Sequence, residues 1–333
     1  MICDTDLFTS LQVVVLLNMP RYRDDFETSR ILSDYIKSIE QDEDSMHKMK
    51  LDAVVIMQIY ELIFSIYANH EDLEGMQDIL VRAKKASSYF HRKEAYAIYY
   101  NMLSEYYDIL LDGFYDTDNQ DEERVLNKML DAIEKTLFYS KQNISYDINH
   151  LYVKNILAKA TILMRSNRGT IRKIDKLITN AKKIIMENTT EYADVRLQYY
   201  LVCAWYYALV QDDKDMAEVF IEDALELSNV IIPTDLQKIE DVIIPCANIY
   251  FELCCYNQAI GLLYKGTRLC FKHINTDSYA FIRQQLYNHF FQVGIEAQKV
   301  EWCQKMFKLI EIENKEIVDD KNRVIIPEEV RSL

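Results

Sequence analysis

Glycine and proline are scarce, with 6 Gly and 4 Pro in 333 residues. Sheets and long loops take their turns from these residues, so the scarcity argues against a β-rich fold and for long helices joined by short connections. Paired cysteines are also lacking. The 7 cysteines stand at 3, 203, 246, 254, 255, 270 and 303, an odd number with no Cys-x-x-Cys pair. This fits reduced thiols in the core of a cytoplasmic protein better than a disulfide framework or a zinc site. The 6 histidines, at 47, 70, 91, 150, 273 and 289, are scattered and none has metal-ligand spacing. No Gly-x-x-x-x-Gly-Lys-Ser/Thr, Gly-x-Gly-x-x-Gly, His-Glu-x-x-His or Gly-x-Ser-x-Gly occurs, so no motif implies catalysis, a cofactor or a metal, and a non-enzymatic role is expected. The apolar run 11–19 is too short to span a bilayer and has no basic lead or cleavage pattern, so neither a signal peptide nor an anchor is expected. Positive charge is in deficit. Lys+Arg number 38 against 53 Asp+Glu, and the net charge of −15 opposes nonspecific binding of nucleic acid.

What is present is apolar and aromatic: 50% of residues are hydrophobic and 24 are tyrosine. The stretch 246–266, CANIYFELCCYNQAIGLLYKG, reads as two short amphipathic helices around a tight turn. Ile243, Cys246, Ala247 and Tyr250 recur at helical offsets on the first, and Ala259, Leu263 and Gly266 on the second. Small residues at 247, 259 and 266 let two backbones approach closely. This pattern resembles a tetratricopeptide repeat (TPR), a helix–turn–helix unit of about 34 residues. The resemblance implies an all-α fold, a right-handed α–α superhelix (TPR-like solenoid) of about six helical hairpins.

Other stretches follow the same register. Tyr60, Ile63, Phe64 and Tyr67 precede Met76, Leu80 and Ala83 in a hairpin over about 44–89, whose turn Asn69-His70-Glu71-Asp72 also supplies an N-cap with early acidic charge. Tyr100, Leu103, Ser104 and Tyr107 open a second hairpin near 91. Its turn is stretched into the acidic loop 112–123, DGFYDTDNQDEE, which lacks the central Gly and terminal Glu of a calcium loop. A third, about 147–188, fits the spacing least. Tyr200, Cys203, Ala204 and Tyr207 with Ala217, Ile221 and Ala224 mark a fourth, whose turn is one residue longer than in the fifth. The fifth, about 234–273, carries Pro245 inside its first helix, where a kink is expected. Tyr287, Phe290, Phe291 and Gly294 with Cys303, Phe307 and Ile310 mark the sixth, about 276–313. The glycine that the family places before the turn is missing throughout. The organisation expected is a helical cap or incomplete repeat over 1–43, with helices at 7–19 and 23–40 separated by Pro20, a repeat array over 44–313 and an extended tail over 314–333. Tyr100, Tyr107, Ala204, Tyr207, Ala247, Tyr250 and Ala259 are expected to be buried between helices.

In TPR proteins the first helices of successive units line a concave groove that receives a peptide or a partner helix. Carried over where the spacing matches, the resemblance places Glu61, Asn69, Asn101, Glu105, Asp108, Trp205, Asn248, Phe251 and Glu252 on that face. Such a lining favours a basic peptide with one or two apolar anchors. An alternative docking patch lies in the third hairpin. Lys154, Lys159, Arg165, Arg168, Arg172, Lys173, Lys176, Lys182 and Lys183 there face only Asp175, a basic segment in an acidic chain. Residues 318–331, VDDKNRVIIPEEVR, are similar to the opening of AbrB-like swapped-hairpin DNA-binding domains, with Asn322 in place of the usual Gly and the rest of the domain absent. The plainer reading is a short extended tail packed on the last hairpin. Two functions are thus expected: a scaffold that binds a peptide or protein in its groove, or the sensory portion of a bacterial signalling or transcription regulator.

Overall fold

The computed structural model describes residues 26–40, 53–70, 72–112, 119–141, 146–187, 192–319 and 322–326. Among them every regular element is a helix and no strand is present, so the fold is all-α. In chain order the helices are α1 (Phe26–Glu40), α2 (Ala53–Asn69), α3 (Leu73–Phe90), α4 (Lys93–Asp112), α5 (Asn119–Ser140), α6 (Tyr146–Arg165) and α7 (Ile171–Glu187). Then come α8 (Ala193–Tyr206), α9 (Lys214–Ile231), the short α10 (Asp235–Lys238), α11 (Ile244–Glu252), α12 (Tyr256–Phe271), α13 (Asp277–Glu296) and α14 (Val300–Glu316). Each hairpin expected from 44 to 313 contains two long helices or, in the fifth, α10, α11 and α12, and residues 44–52 of the first lie outside the described residues. The helix expected at 7–19, Pro20, Cys3, Asp116, Asp118 and residues 327–333 lie outside the described residues.

The helices begin and end for local reasons. Asp72 Oδ1 accepts from Gly75 N–H at 2.9 Å and Asp213 Oδ1 from Met216 N–H at 3.1 Å, so each caps a free amide of a first turn. Thr234 does the same for Gln237 at 3.3 Å. Four of the turns inside the hairpins share one backbone bond. The carbonyl of Tyr67 accepts from Asp72 N–H (3.0 Å), that of Leu163 from Arg168 (3.1 Å), that of Tyr250 from Cys255 (2.8 Å) and that of Gly294 from Lys299 (2.8 Å). In the last three, the residue just before the donor is left-handed: Asn167, Cys254 and Gln298, with φ of 52°, 56° and 54°. This is the Schellman ending of a helix, where glycine is the usual occupant. The missing glycines therefore change the residue at these turns, not the turn.

Two helices contain a widened turn. A π turn at Tyr207–Gln211 extends α8, and Asp213 N–H reaches back to Tyr207. It accounts for the extra residue in the fourth hairpin. A second π turn, Ile239–Ile243, joins α10 to α11, and Ile244 N–H bonds to Ile239 O. Pro245 follows it after one residue, Ile244. Proline has no N–H and crowds the carbonyl four residues back, and the wider turn relieves both problems.

The chain divides into two compact units, Met1–Lys159 and Ala160–Leu333, and the boundary falls inside α6. Each has its own core. In the first, α2 packs on α3 and also on α4, the first helix of the next hairpin, and Ile63, Phe64, Met76, Ala83, Ala97 and Met102 are buried there. In the second, α8 packs on α9 and on α11, and Ala204, Ile221, Ala247, Ala259, Leu263 and Tyr287 are buried. A Cβ added to Gly266 would lie 2.9 Å from Leu286 Cδ2, so glycine there sets the approach of α12 to α13. The third hairpin gains a register from the structure. Ile174, Ile178 and Ala181, buried on α7 together with Ile185, have the spacing of Ala217, Ile221 and Ala224. Of the residues expected between helices, Ala204, Ala247, Tyr250 and Ala259 are buried. Tyr100, Tyr107 and Tyr207 are only half-buried. Their rings reach the rim of the helix pair, where Tyr100 stacks on Tyr139 (5.8 Å, 2°) and Tyr207 on Phe220 (5.5 Å, 12°). A phenol keeps its hydroxyl end wet at little cost while its ring packs.

Candidate functional site

In the first unit, residues of α2, α4 and α6 meet through polar side chains. Asn101 Nδ2 donates to Glu61 Oε1 at 3.4 Å and to Glu105 Oε1 at 3.2 Å. Asn155 Nδ2 donates to Asn101 Oδ1 at 2.9 Å and to its own helix at Leu151 O at 3.0 Å. Lys154 Nζ reaches Glu105 Oε1 at 3.0 Å. A ladder of side-chain bonds thus crosses the first helices of three successive hairpins. Glu61, Asn101 and Glu105 are brought together, but Asn101 is 2% exposed and serves as the internal rung. Asn69 and Asp108 are exposed on the same two helices. Lys154 and Asn155 were missed by repeat spacing, because the third hairpin carries no clear register in its residues alone.

The charge of this face differs from an unbroken acidic wall. Lys154 neutralises Glu105 in a pair whose side chains are 40% and 34% exposed, and Lys159 pairs with Glu134 at 2.7 Å. Basic residues of the first helix of the third hairpin are therefore engaged with acidic neighbours.

In the second unit, Trp205, Asn248 and Phe251 are half-buried and Glu252 is exposed. Trp205 and Phe251 pack against the core from its edge. The guanidinium of Arg165 lies 6.0 Å from the Trp205 ring centroid, within reach of a cation–π attraction. One member of the basic patch thus sits with one member of the groove set. The other basic residues face out. On α7, Ile174, Ile178, Ala181 and Ile185 are buried, while Arg172, Lys173, Lys176, Lys182 and Lys183 are exposed; Arg168, in the turn before, is exposed too.

A third arrangement concerns the tail, expected as a short extended segment packed on the last hairpin. Residues 322–326 lie on α13 and α14. Gln284 Nε2 donates to Ile325 O at 2.9 Å and Gln284 Oε1 accepts from Ile325 N–H at 2.7 Å. Asn314 treats Val324 the same way, donating to its carbonyl at 3.0 Å and accepting from its N–H at 2.9 Å. Arg283, fully buried, donates to Ile274 O at 3.1 Å and to Asn322 O. Tyr287 donates to Glu313 Oε2 beside it. Burial pushes the Glu313 carboxyl up, and the Tyr287 hydroxyl and the Arg283 charge pull it partly back. Alternation of side chains in the tail, Val324 and Ile326 in and Arg323 and Ile325 out, was the one available signal. Nothing local marks Gln284 or Asn314.

Among the described residues no group of three or more His, Cys, Asp and Glu could hold a metal ion, and no helix is long and apolar enough to cross a membrane. No protein-family model matches the chain, and no curated protein matches it. Among solved structures, the crystal structure of BtubC (BKLC) from P. vanneervenii is similar, with a TM-score of 0.48 and 14% sequence identity, over 76% of this chain and 91% of that one.

Proposed function

We propose that this protein is a non-enzymatic, TPR-like helical-repeat scaffold that binds a peptide or protein segment along the first helices of its hairpins. The ladder that joins Glu61, Asn101, Glu105, Lys154 and Asn155 carries the reading. It supports a stacking of equivalent helices in the first unit, and stacked first helices form the binding face of such arrays. The recurrent Schellman turns and the shared 3–4 spacing of buried residues support divergent repeats of one kind. With Glu105 partly neutralised, Glu61 and Asp108 supply the acidic character of the face. The preferred ligand is a segment that offers Lys or Arg together with an apolar anchor.

The test is a peptide array of Lys/Arg-containing segments, followed by titration of the best binder. Affinity should fall with salt, because Asp108 is exposed and Glu61 is only half-buried. Glu61→Lys with Asp108→Lys should weaken binding by roughly tenfold or more, about 1.4 kcal/mol, with the helical circular dichroism unchanged. Unchanged binding in that variant, with loss on reversing Arg172 and Lys173, would instead make the outer face of α7 the docking surface for an acidic partner.

A further inference from the structure

Residues 322–326 are held by side chains. Among the described residues their main-chain bond is local, from Asn322 N–H to Asp319 O. Gln284 and Asn314 each close a two-way amide bond around a single residue, so both backbone groups of Ile325 and of Val324 are satisfied without a neighbouring strand. Such bonds are indifferent to the side chain of the residue they hold. What they read is an extended backbone. Selectivity comes from alternate positions: Val324 and Ile326 enter the core of the second unit, while Ile325 remains 74% exposed. Main-chain bonds combined with pockets for alternate side chains is how proteins capture extended peptides. The buried Arg283 fits the same scheme. Its guanidinium takes the Asn322 carbonyl, which only an occupant of this face supplies.

We infer that the face of α13 and α14 bearing Arg283, Gln284 and Asn314 is a binding site for extended peptides with β-branched residues at alternate positions, and that residues 322–326 are its resident ligand in cis. The site lies in the second unit and does not rest on the ladder described for the first. A tethered ligand is present at an effective concentration in about the millimolar range. A free peptide of micromolar intrinsic affinity therefore binds the intact chain roughly 10²–10³-fold more weakly than the vacated site. Release of the strap exposes the site to a partner segment of the same type.

The experiment uses the full chain with Val324→Asp and Ile326→Asp, and a fluorescein-labelled synthetic peptide, KNRVIIPE, followed by anisotropy. The double variant should bind the peptide about 100-fold more tightly than the parent. Adding Gln284→Ala and Asn314→Ala should remove most of that gain, and a peptide with aspartate at the same two positions should not bind. A double variant of parental helicity that does not bind the peptide overturns the inference, as does equal binding by parent and variant. If the double variant loses helicity, hydrogen exchange in the otherwise unaltered chain decides. Faster exchange at Val324 and Ile325 in Gln284→Ala/Asn314→Ala, by tenfold or more and with α13 and α14 unchanged, supports a strap that opens alone. Exchange of those amides only together with α13 and α14 makes the segment a fixed part of the core and overturns it.

Discussion

Tyrosine occurs in adjacent pairs that divide the work of packing. In Tyr99–Tyr100, Tyr106–Tyr107, Tyr199–Tyr200 and Tyr206–Tyr207 the first ring is buried and the second half-buried. The centroids lie 5.0, 5.7, 5.9 and 5.4 Å apart. One ring fills the layer between helices and the other seals its rim. Cysteine follows the same logic of position. Cys203, Cys246, Cys255, Cys270 and Cys303 are buried and Cys254 is exposed. Burial pushes the thiols of Cys203, Cys246 and Cys270 up to about 12, so they stay protonated and inert. With DTNB at pH 8, peptide mapping should show rapid labelling at Cys254 and labelling of the buried five only on unfolding. His289 gives a pH signature. Burial lowers its pKa, so the folded state holds it neutral where the unfolded chain takes up a proton. Its contribution is present above about pH 6.5 and is lost as pH falls through the folded value. His289→Gln should flatten the fall in Tm between about pH 7 and 5.5.

At the scale of the element, the turns decide how one hairpin is built. Three Schellman turns place Asn167, Cys254 and Gln298 in the left-handed region. For a residue with a Cβ that conformation costs about 1–2 kcal/mol, and the extra freedom of glycine in the unfolded chain returns about 0.4–1 kcal/mol of that difference. Gln298→Gly is expected to stabilise the protein by roughly 0.5–1 kcal/mol, read as a raised denaturation midpoint at unchanged m-value. A lowered midpoint would mean that the Gln298 side chain, not its backbone, holds the turn. The spacing of apolar residues placed the helices of the hairpins other than the third, and Asp72, within the turn expected to supply an N-cap, caps α3. The third hairpin escaped that spacing because its two helices are set further apart along the chain. Its equivalence to the others rests on Leu163 O, Ile174, Ile178 and Ala181, which only the folded turn aligns.

At the scale of the molecule, the described residues form two cores, one centred on α2 to α4 and one on α8 to α14. Where buried contacts are divided between separate cores, a local change is felt by its neighbours and not throughout. Ile63 is fully buried in the first core. Ile63→Ala should cost about 2–5 kcal/mol there. Hydrogen exchange should quicken in α2 to α5 and stay unaltered in α11 to α14. Uniform acceleration along the chain would show that the two cores unfold as one.

The sequence by itself determined the all-α class, the positions of most described helices and most of the buried faces. These depend on residues within a turn or two of one another, through helical period, capping and the scarcity of turn residues. Tertiary structure alone decided which polar groups meet. Lys154 answers Glu105, Arg165 covers Trp205, and Gln284 and Asn314 close on two residues of the tail. Partners so far apart in the chain are selected by the depth and angle at which helices pack. A hydrogen bond forms only within a few tenths of an ångström of its proper length, so no spacing rule along the chain specifies it.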